Sequence, residues 1–205
     1  MKTTQSDLVQ GLSARLYDGR MRCFRIDGLY HRVMEMLQLE KKEHVLDVGC
    51  GTGALLSLLR RRYPGRVGLV GVDASPEMIG LAKSRTKGMM ITIRPARAEG
   101  LPFANGTFNV VLSVLAYHRM PALVKRVAVA ETARVLKPGG RFILADIGAV
   151  QSRRLGLIGG ILTLRSHTRG NIDIVEGAMR RHSLCIEKTD WHRGVIKLVH
   201  AKKKG

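Results

Sequence analysis

Val45-Leu46-Asp47-Val48-Gly49-Cys50-Gly51-Thr52-Gly53, followed at once by Ala54-Leu55-Leu56-Ser57-Leu58-Leu59, is the stretch on which the fold turns. A short apolar run ends in three alternating glycines and gives way to an apolar segment of helical character. That is the order strand, tight turn, helix. The glycines let the backbone turn sharply and come close to a ligand, with the next helix N-terminus pointing at it. Outward from here the rhythm repeats. Val67–Val72 reads as a second strand ending in Asp73, and Ser75-Pro76-Glu77 opens a helix with Ser as N-cap and Pro at the first helical position. Met90–Ile93 is a third strand, and Asn109–Val114 a fourth, entered from the turn Asn105-Gly106-Thr107. Pro121–Leu136 is a long amphipathic helix that stops at Lys137-Pro138-Gly139-Gly140, and Arg141–Ala145 is a fifth strand ending at Asp146. Strands alternating with helices predict an α/β fold, a parallel sheet with helices on both faces.

The flanks read differently. The first 43 residues are helical in pattern: Ser6 can cap a segment ending near Tyr17, and Leu29, Val33, Met34 and Leu37 form one apolar stripe. After Ile147 the rhythm breaks until a helix near Asn171–Arg181. Within that break Leu155–Leu164 is almost purely apolar, preceded by Arg153 and Arg154 and followed by Arg165. It is too short to span a bilayer and suits an interfacial helix, a greasy substrate cover or a core helix. Leu184–Asp190 and Val195–Ala201, joined by Trp191-His192-Arg193-Gly194, predict a terminal hairpin and with it an antiparallel strand.

Composition bounds the class. The chain has 205 residues, 45% of them hydrophobic and 25% charged, which suits one globular domain. Cys23, Cys50 and Cys185 form no CxxC pair and no disulfide framework, so a reducing, cytoplasmic setting is expected. Met1–Asp7 carries no apolar core of a signal peptide. The unusual quantity is charge: 35 Lys+Arg against 16 Asp+Glu give +19. It is spread along the chain, at net +2 for residues 1–43, +9 for 44–146 and +8 for the remainder. Such a balance predicts attraction to polyanions, either an anionic lipid surface or nucleic acid.

In a doubly wound sheet the ligand lies outside the carboxyl ends of the strands, where strand order reverses. Asp73 stands 24 residues beyond Gly49, at the end of the next strand, where a carboxylate can accept both hydroxyls of a ribose. An adenosine-type ligand follows. Gly49-x-Gly51-x-x-Ala54 also satisfies the dinucleotide pattern, so the loop alone leaves the choice of ligand open.

Four stretches in order carry a family resemblance: Val45–Gly53, Val70-Gly71-Val72-Asp73-Ala74-Ser75-Pro76-Glu77-Met78, Ala98-Glu99-Gly100-Leu101-Pro102-Phe103, and Arg134-Val135-Leu136-Lys137-Pro138-Gly139-Gly140-Arg141. Together they resemble class I S-adenosylmethionine-dependent methyltransferases, and are most similar to the ubiquinone/menaquinone-biosynthesis type. The resemblance implies a Rossmann-like three-layer sandwich with a seven-stranded, mostly parallel sheet and an antiparallel last strand. It implies an N-terminal helical lid over residues 1–43 and a methyltransferase domain over 44–205. S-adenosylmethionine is the expected cofactor and no metal is expected. Its binding residues would be Asp47, Gly49, Cys50, Gly51, Gly53, Asp73, Ala74, Met78, Arg97, Ala98 and Ser113. Asp47 would serve the methionine end or only brace the loop, and Met78 would face the adenine or pack as helix core. Arg97 departs from the family, which usually has Asp there to meet the adenine amino group.

His118, Asp146 and the lid residue Tyr17 are the candidate catalytic residues, the first two because they follow the fourth and fifth strands. Each also has a plain structural reading. The resemblance and the apolar Leu155–Leu164 run together imply a small hydrophobic acceptor, a quinone precursor or lipid-like molecule, with peripheral contact to an anionic membrane. Nucleic acid is the second choice of partner: the sequence after the fourth strand lacks a Pro-Pro-aromatic element, and aromatics at 4% offer few stacking platforms. A non-catalytic cofactor-binding protein is the third.

Overall fold

The computed structural model describes residues 26–148 and 170–205. In chain order these form α1 (Ile26–Leu37), β1 (His44–Val48), α2 (Ala54–Arg62), β2 (Gly68–Asp73), α3 (Pro76–Arg85), β3 (Ile91–Pro95), β4 (Phe108–Val114), a short 3-10 turn (Tyr117–Arg119), α4 (Ala122–Val135), β5 (Leu136–Ile147), α5 (Asn171–Arg181), β6 (Leu184–His192) and β7 (Ile196–Lys203). The seven strands lie in one sheet in the order β3-β2-β1-β4-β5-β7-β6. The pairings from β3 through β5 are all parallel. β7 runs antiparallel to both β5 and β6, so it alone opposes the other six strands. The expected fold class is the observed one.

Alternating side chains of the central strands feed two cores, as a sheet covered on both faces requires. Val110 and Leu112 of β4 pack with Leu29, Val33 and Leu37 of α1, Leu56 and Leu59 of α2, and Ile79 and Ala82 of α3. Val111 of the same strand packs on the other face with Ala128 and Val129 of α4 and Val175 and Met179 of α5. The stripe foreseen in α1 is therefore its buried face, with Met34 only half-buried. α1 lies along the sheet rather than above it. Near its start Gly28 faces the His192 ring and Arg32 pairs with Asp190 of the hairpin, and at its end the Leu37 carbonyl accepts from Arg141 at 2.7 Å.

Two boundaries differ from the sequence reading. The long helix ends at Val135, and β5 begins at once with Leu136 rather than at Arg141. The Lys-Pro-Gly-Gly stretch is thus a bulge inside the strand's entry: Phe108 pairs with Leu136 but Val110 pairs with Arg141. Gly139, at φ +74, supplies the left-handed residue this bulge needs. The hairpin turn is also tighter than read, because β6 runs on to His192 and the chain reverses through Arg193 (φ 54) and Gly194 (φ 67). Two successive positive φ values match the twist of the flanking strands. Tyr17 and the arginine-flanked Leu155–Leu164 run lie outside the described residues. No helix among the described residues is long and apolar enough to cross a membrane.

Candidate active site

Strand order reverses between β1 and β4, so the loops after these strands border a crevice at the carboxyl ends of the sheet. The two loops touch. A Cβ placed on Gly49 would lie 2.5 Å from the Ala116 Cβ, and Gly49 sits at φ +78, so both space and conformation demand glycine there. Gly51 is the opposite case: at φ +54 it has nothing within 4 Å of an added Cβ, and the backbone lies open toward the crevice.

The polar groups of this loop discriminate between the two ligand classes that the glycine pattern left open. The N–H groups of Gly49 and Cys50 both donate to the Val72 carbonyl, at 2.8 and 3.0 Å, and the Gly51 N–H donates to Asp73 Oδ2 at 2.9 Å. A loop built to cradle a pyrophosphate would present those donors to the ligand. Here they are spent within the protein, and the ionisable groups beneath them are carboxylates. Asp47 is 3% exposed and takes no hydrogen bond from the described residues. Burial and then the neighbouring Asp73 raise its pKa from 3.8 to about 8. The pair suits a ligand that brings positive charge. Asp73 itself is held by the Gly51 N–H and, at 2.9 Å, by the Ser75 N–H. A carboxylate has about four lone-pair positions, so two remain for a ribose. Burial and the same two carboxylates push the Cys50 thiol up, which makes it an inert packing group.

The remaining expected ligands fall around this cradle. Ser75 caps α3 by accepting from the Met78 N–H at 3.3 Å, and Ala74 is exposed beside Asp73. Met78 is buried yet belongs to neither core cluster. Ala96 donates to the Asp73 carbonyl at 3.1 Å, which carries the next loop past the same spot. There Arg97 bridges Gly100 through its backbone and pairs with Glu99 at 2.5 Å, while Ala98 is buried. Leu101-Pro102-Phe103 is pinned from α4: Arg134 donates to the Leu101 and Phe103 carbonyls at 2.9 and 2.7 Å, and Glu131 accepts from the Leu101 N–H at 2.8 Å. Two of the sequence motifs thus bind each other. Ser113 is fully buried and donates to the Val48 carbonyl at 2.7 Å, tying β4 to β1 beneath the glycine loop.

His118 and Asp146, read separately from the sequence, meet. His118 Nδ1 lies 2.8 Å from Asp146 Oδ1; the histidine side chain is 19% exposed and the aspartate not at all. The aspartate also accepts from the backbone N–H groups of Tyr117 at 2.7 Å, His118 at 3.2 Å and Ile147 at 2.7 Å. A carboxylate surrounded by donors leaves Nδ1 of His118 as a donor as well, so the lone pair of the neutral ring is on Nε2. Leu115, just before this turn, is held at φ 55, and its N–H donates to the Ala145 carbonyl at 2.8 Å. Such left-handed non-glycine residues cluster where a backbone is constrained for function.

Two participants escaped the sequence reading. Asn171, 1% exposed at the start of α5, donates to the Ile147 carbonyl at 2.8 Å and approaches Asp146 at 3.4 Å. Lys125 is buried in α4, where burial lowers its pKa while the Asp146 charge opposes that. A lysine at a core position of a mostly apolar helix face was the available signal; nothing local marks Asn171.

Known proteins resemble the chain over the same region. Residues 45–140 match the methyltransferase domain family. A demethylmenaquinone methyltransferase of Thermus thermophilus is 32% identical over 142 residues, 68% of this chain and 63% of that protein. Over this stretch the chain is similar to the class I S-adenosylmethionine-dependent methyltransferases. Within that family it is similar to the ubiquinone/menaquinone-biosynthesis type, and S-adenosylmethionine is the cofactor. A phthiotriol/phenolphthiotriol dimycocerosates methyltransferase of Mycobacterium tuberculosis is 39% identical over 121 residues, 58% of this chain and 43% of that protein. The chain thus spans less than two thirds of the length of these curated relatives. Among solved structures, a chain from the complex of the Haloferax volcanii Trm112 activator with its methyltransferase superposes with a TM-score of 0.71 at 20% identity, covering 96% of this chain and all of that one. This likeness is one of fold.

Proposed function

We propose that the protein transfers the methyl group of S-adenosylmethionine to a small hydrophobic acceptor whose methylated atom must lose a proton, with His118 as the base. The observation that carries this reading is the His118–Asp146 pair at the mouth of the crevice, beside the glycine loop. The residues present fit the cofactor: Asp73 for the ribose, Asp47 beneath a cationic end, the open Gly51 backbone, and Met78, Arg97 and Ala98 around the base. When bound, it supplies a methyl group on a sulfonium that is already a good leaving group.

The chain's own task is then alignment and proton removal. Alignment of this kind supplies roughly 7–11 kcal/mol in well-oriented systems. Asp146 fixes the His118 ring through Nδ1, so that Nε2 is the nitrogen left to take the acceptor's proton. Support for a hydrophobic acceptor comes from the relatives, which are named for demethylmenaquinone and for phthiotriol dimycocerosates. Tyr17 is proposed to close over the acceptor as part of the N-terminal lid.

The test uses labelled S-adenosylmethionine with demethylmenaquinone and a series of lipophilic phenols. His118→Ala should lower kcat by about 10²–10³, the usual range for loss of a general base, while the S-adenosylhomocysteine dissociation constant stays within twofold of wild type. Unchanged kcat removes His118 from the chemistry.

A further inference from the structure

The sequence spreads its positive charge along the chain, and the fold brings part of it together at one end of the sheet. In a parallel sheet every helix that follows a strand returns to the end where the strands begin, opposite the crevice. α2 finishes there with Arg60-Arg61-Arg62 and α5 with Arg180-Arg181. The loops that enter β1 and β2 add Lys42 and Arg66, which touch through the Lys42 N–H and the Arg66 carbonyl at 2.7 Å. β7, the antiparallel strand, brings its own end and Lys204 to the same side, where the Lys204 N–H donates to the Ser183 carbonyl at 2.9 Å. Lys42, Arg62, Arg66, Arg180, Arg181 and Lys204 are all exposed. Of the acids in the loop entering β1, Glu40 is exposed, while both Glu43 oxygens are taken by Arg141 at 2.7 Å. Seven strands at ~4.8 Å spacing make this basic floor about 30 Å wide.

One apolar side chain stands out in it. Met90, at the entry of β3, is 76% exposed, and its carbonyl accepts from Arg60 at 2.8 Å, which fixes it beside the arginine cluster. A row of flexible cations with an adaptable thioether protruding among them matches an anionic bilayer surface: headgroup phosphates for the cations, the acyl boundary for the methionine. Nucleic acid would want stacking rings, and the aromatic residue at this corner, Tyr63, is half-buried.

We infer that the floor of the sheet is a docking surface for anionic lipid membrane, on the side away from the methyl-transfer crevice. Docked there, the protein would hold its crevice on the side away from the bilayer surface. The inference does not depend on which acceptor is methylated.

The experiment is co-sedimentation of the full chain with vesicles of phosphatidylcholine alone and of phosphatidylcholine with phosphatidylglycerol, at low and at physiological salt. Wild type should bind the anionic vesicles, more weakly as salt rises. The quadruple variant Lys42→Glu/Arg66→Glu/Arg180→Glu/Arg181→Glu should lose at least a hundredfold in partition, given roughly fivefold for each charge removed. Met90→Asp should lose about tenfold with the floor charge otherwise intact. Arg126→Glu/Arg193→Glu, two exposed positions on other parts of the molecule, should lose far less. Retained S-adenosylhomocysteine binding shows that each variant is folded. Equal partition for wild type and the quadruple variant overturns the inference, as does an equal loss in the control pair. Binding of mixed-sequence RNA that the quadruple variant loses, with no detectable vesicle binding by wild type, also overturns it and assigns the floor to nucleic acid.

Discussion

Asp47→Asn probes the electrostatics of the cofactor cradle most directly. In the folded chain this carboxyl keeps its proton up to about pH 8, whereas the unfolded chain releases it near 3.8. Folding therefore takes up a proton between those values, and stability falls as pH rises through that window. Each pH unit within it costs the wild type about 1.4 kcal/mol, so the whole window amounts to roughly 6 kcal/mol. An asparagine fills nearly the same volume and cannot ionise. Urea unfolding at intervals between pH 5 and pH 8 should show the wild type losing about 1.4 kcal/mol per pH unit relative to the variant. The same proton should appear in binding. S-adenosylhomocysteine carries an ammonium, and placing it by Asp47 favours the carboxylate, so titration calorimetry at pH 7 should detect release of close to one proton per ligand. The variant should release none. Parallel stability curves for the two proteins, or binding enthalpies that do not depend on the buffer, would refute the assignment of a protonated, ligand-facing Asp47.

Gly49→Ala should destabilise by roughly 2–4 kcal/mol and weaken S-adenosylhomocysteine binding, because the new Cβ meets Ala116 at 2.5 Å on a left-handed backbone. Gly51→Ala, with nothing within 4 Å, should cost only the backbone strain of about 1 kcal/mol, and thermal melts of the two variants make the comparison. Asp146→Asn should lower kcat by about 10²–10⁴ and cost roughly 1–3 kcal/mol of stability, since an amide nitrogen must face either the Tyr117 or the Ile147 N–H; kinetics and urea unfolding read the two effects separately. Arg134→Ala releases the carbonyls of Leu101 and Phe103, so hydrogen exchange should speed up across residues 101–105 while α4 stays protected.

The cradle was legible because its demands are local. Three glycines at positive φ after an apolar run, and a carboxylate at the end of the next strand, are set by a few consecutive residues and leave a mark in the sequence. His118 and Asp146 were each legible as residues after strands, but their pairing was not. It depends on β4 and β5 lying side by side in a register that matches Val114 with Ala145, and no sequence of either strand states that register. Asn171 lies further still, reaching Asp146 from the opening of a helix 25 residues along. The start of β5 was misjudged because Lys-Pro-Gly-Gly reads as a loop; lying between Leu136, which pairs with Phe108, and Arg141, which pairs with Val110, it is a bulge in a strand. Charge was legible as a total and as a spread along the chain, but not as a place on the surface. Its placement follows from the direction in which helices return, which is a property of the whole topology.

β7 lies between β5 and β6 although it follows both in the chain. Until it docks, the β5 edge from Arg141 to Ile147 has a row of unpaired peptide groups along strongly apolar side chains. The cradle needs only β1, β2 and β4, whose contacts close earlier along the chain, whereas the strand that bears Asp146 is flanked last. A chain interrupted during folding would pass through a species with the glycine loop and Asp73 in place but with the strand of Asp146 not yet flanked. That species presents a sticky β edge to its neighbours, and it is the state most exposed to self-association.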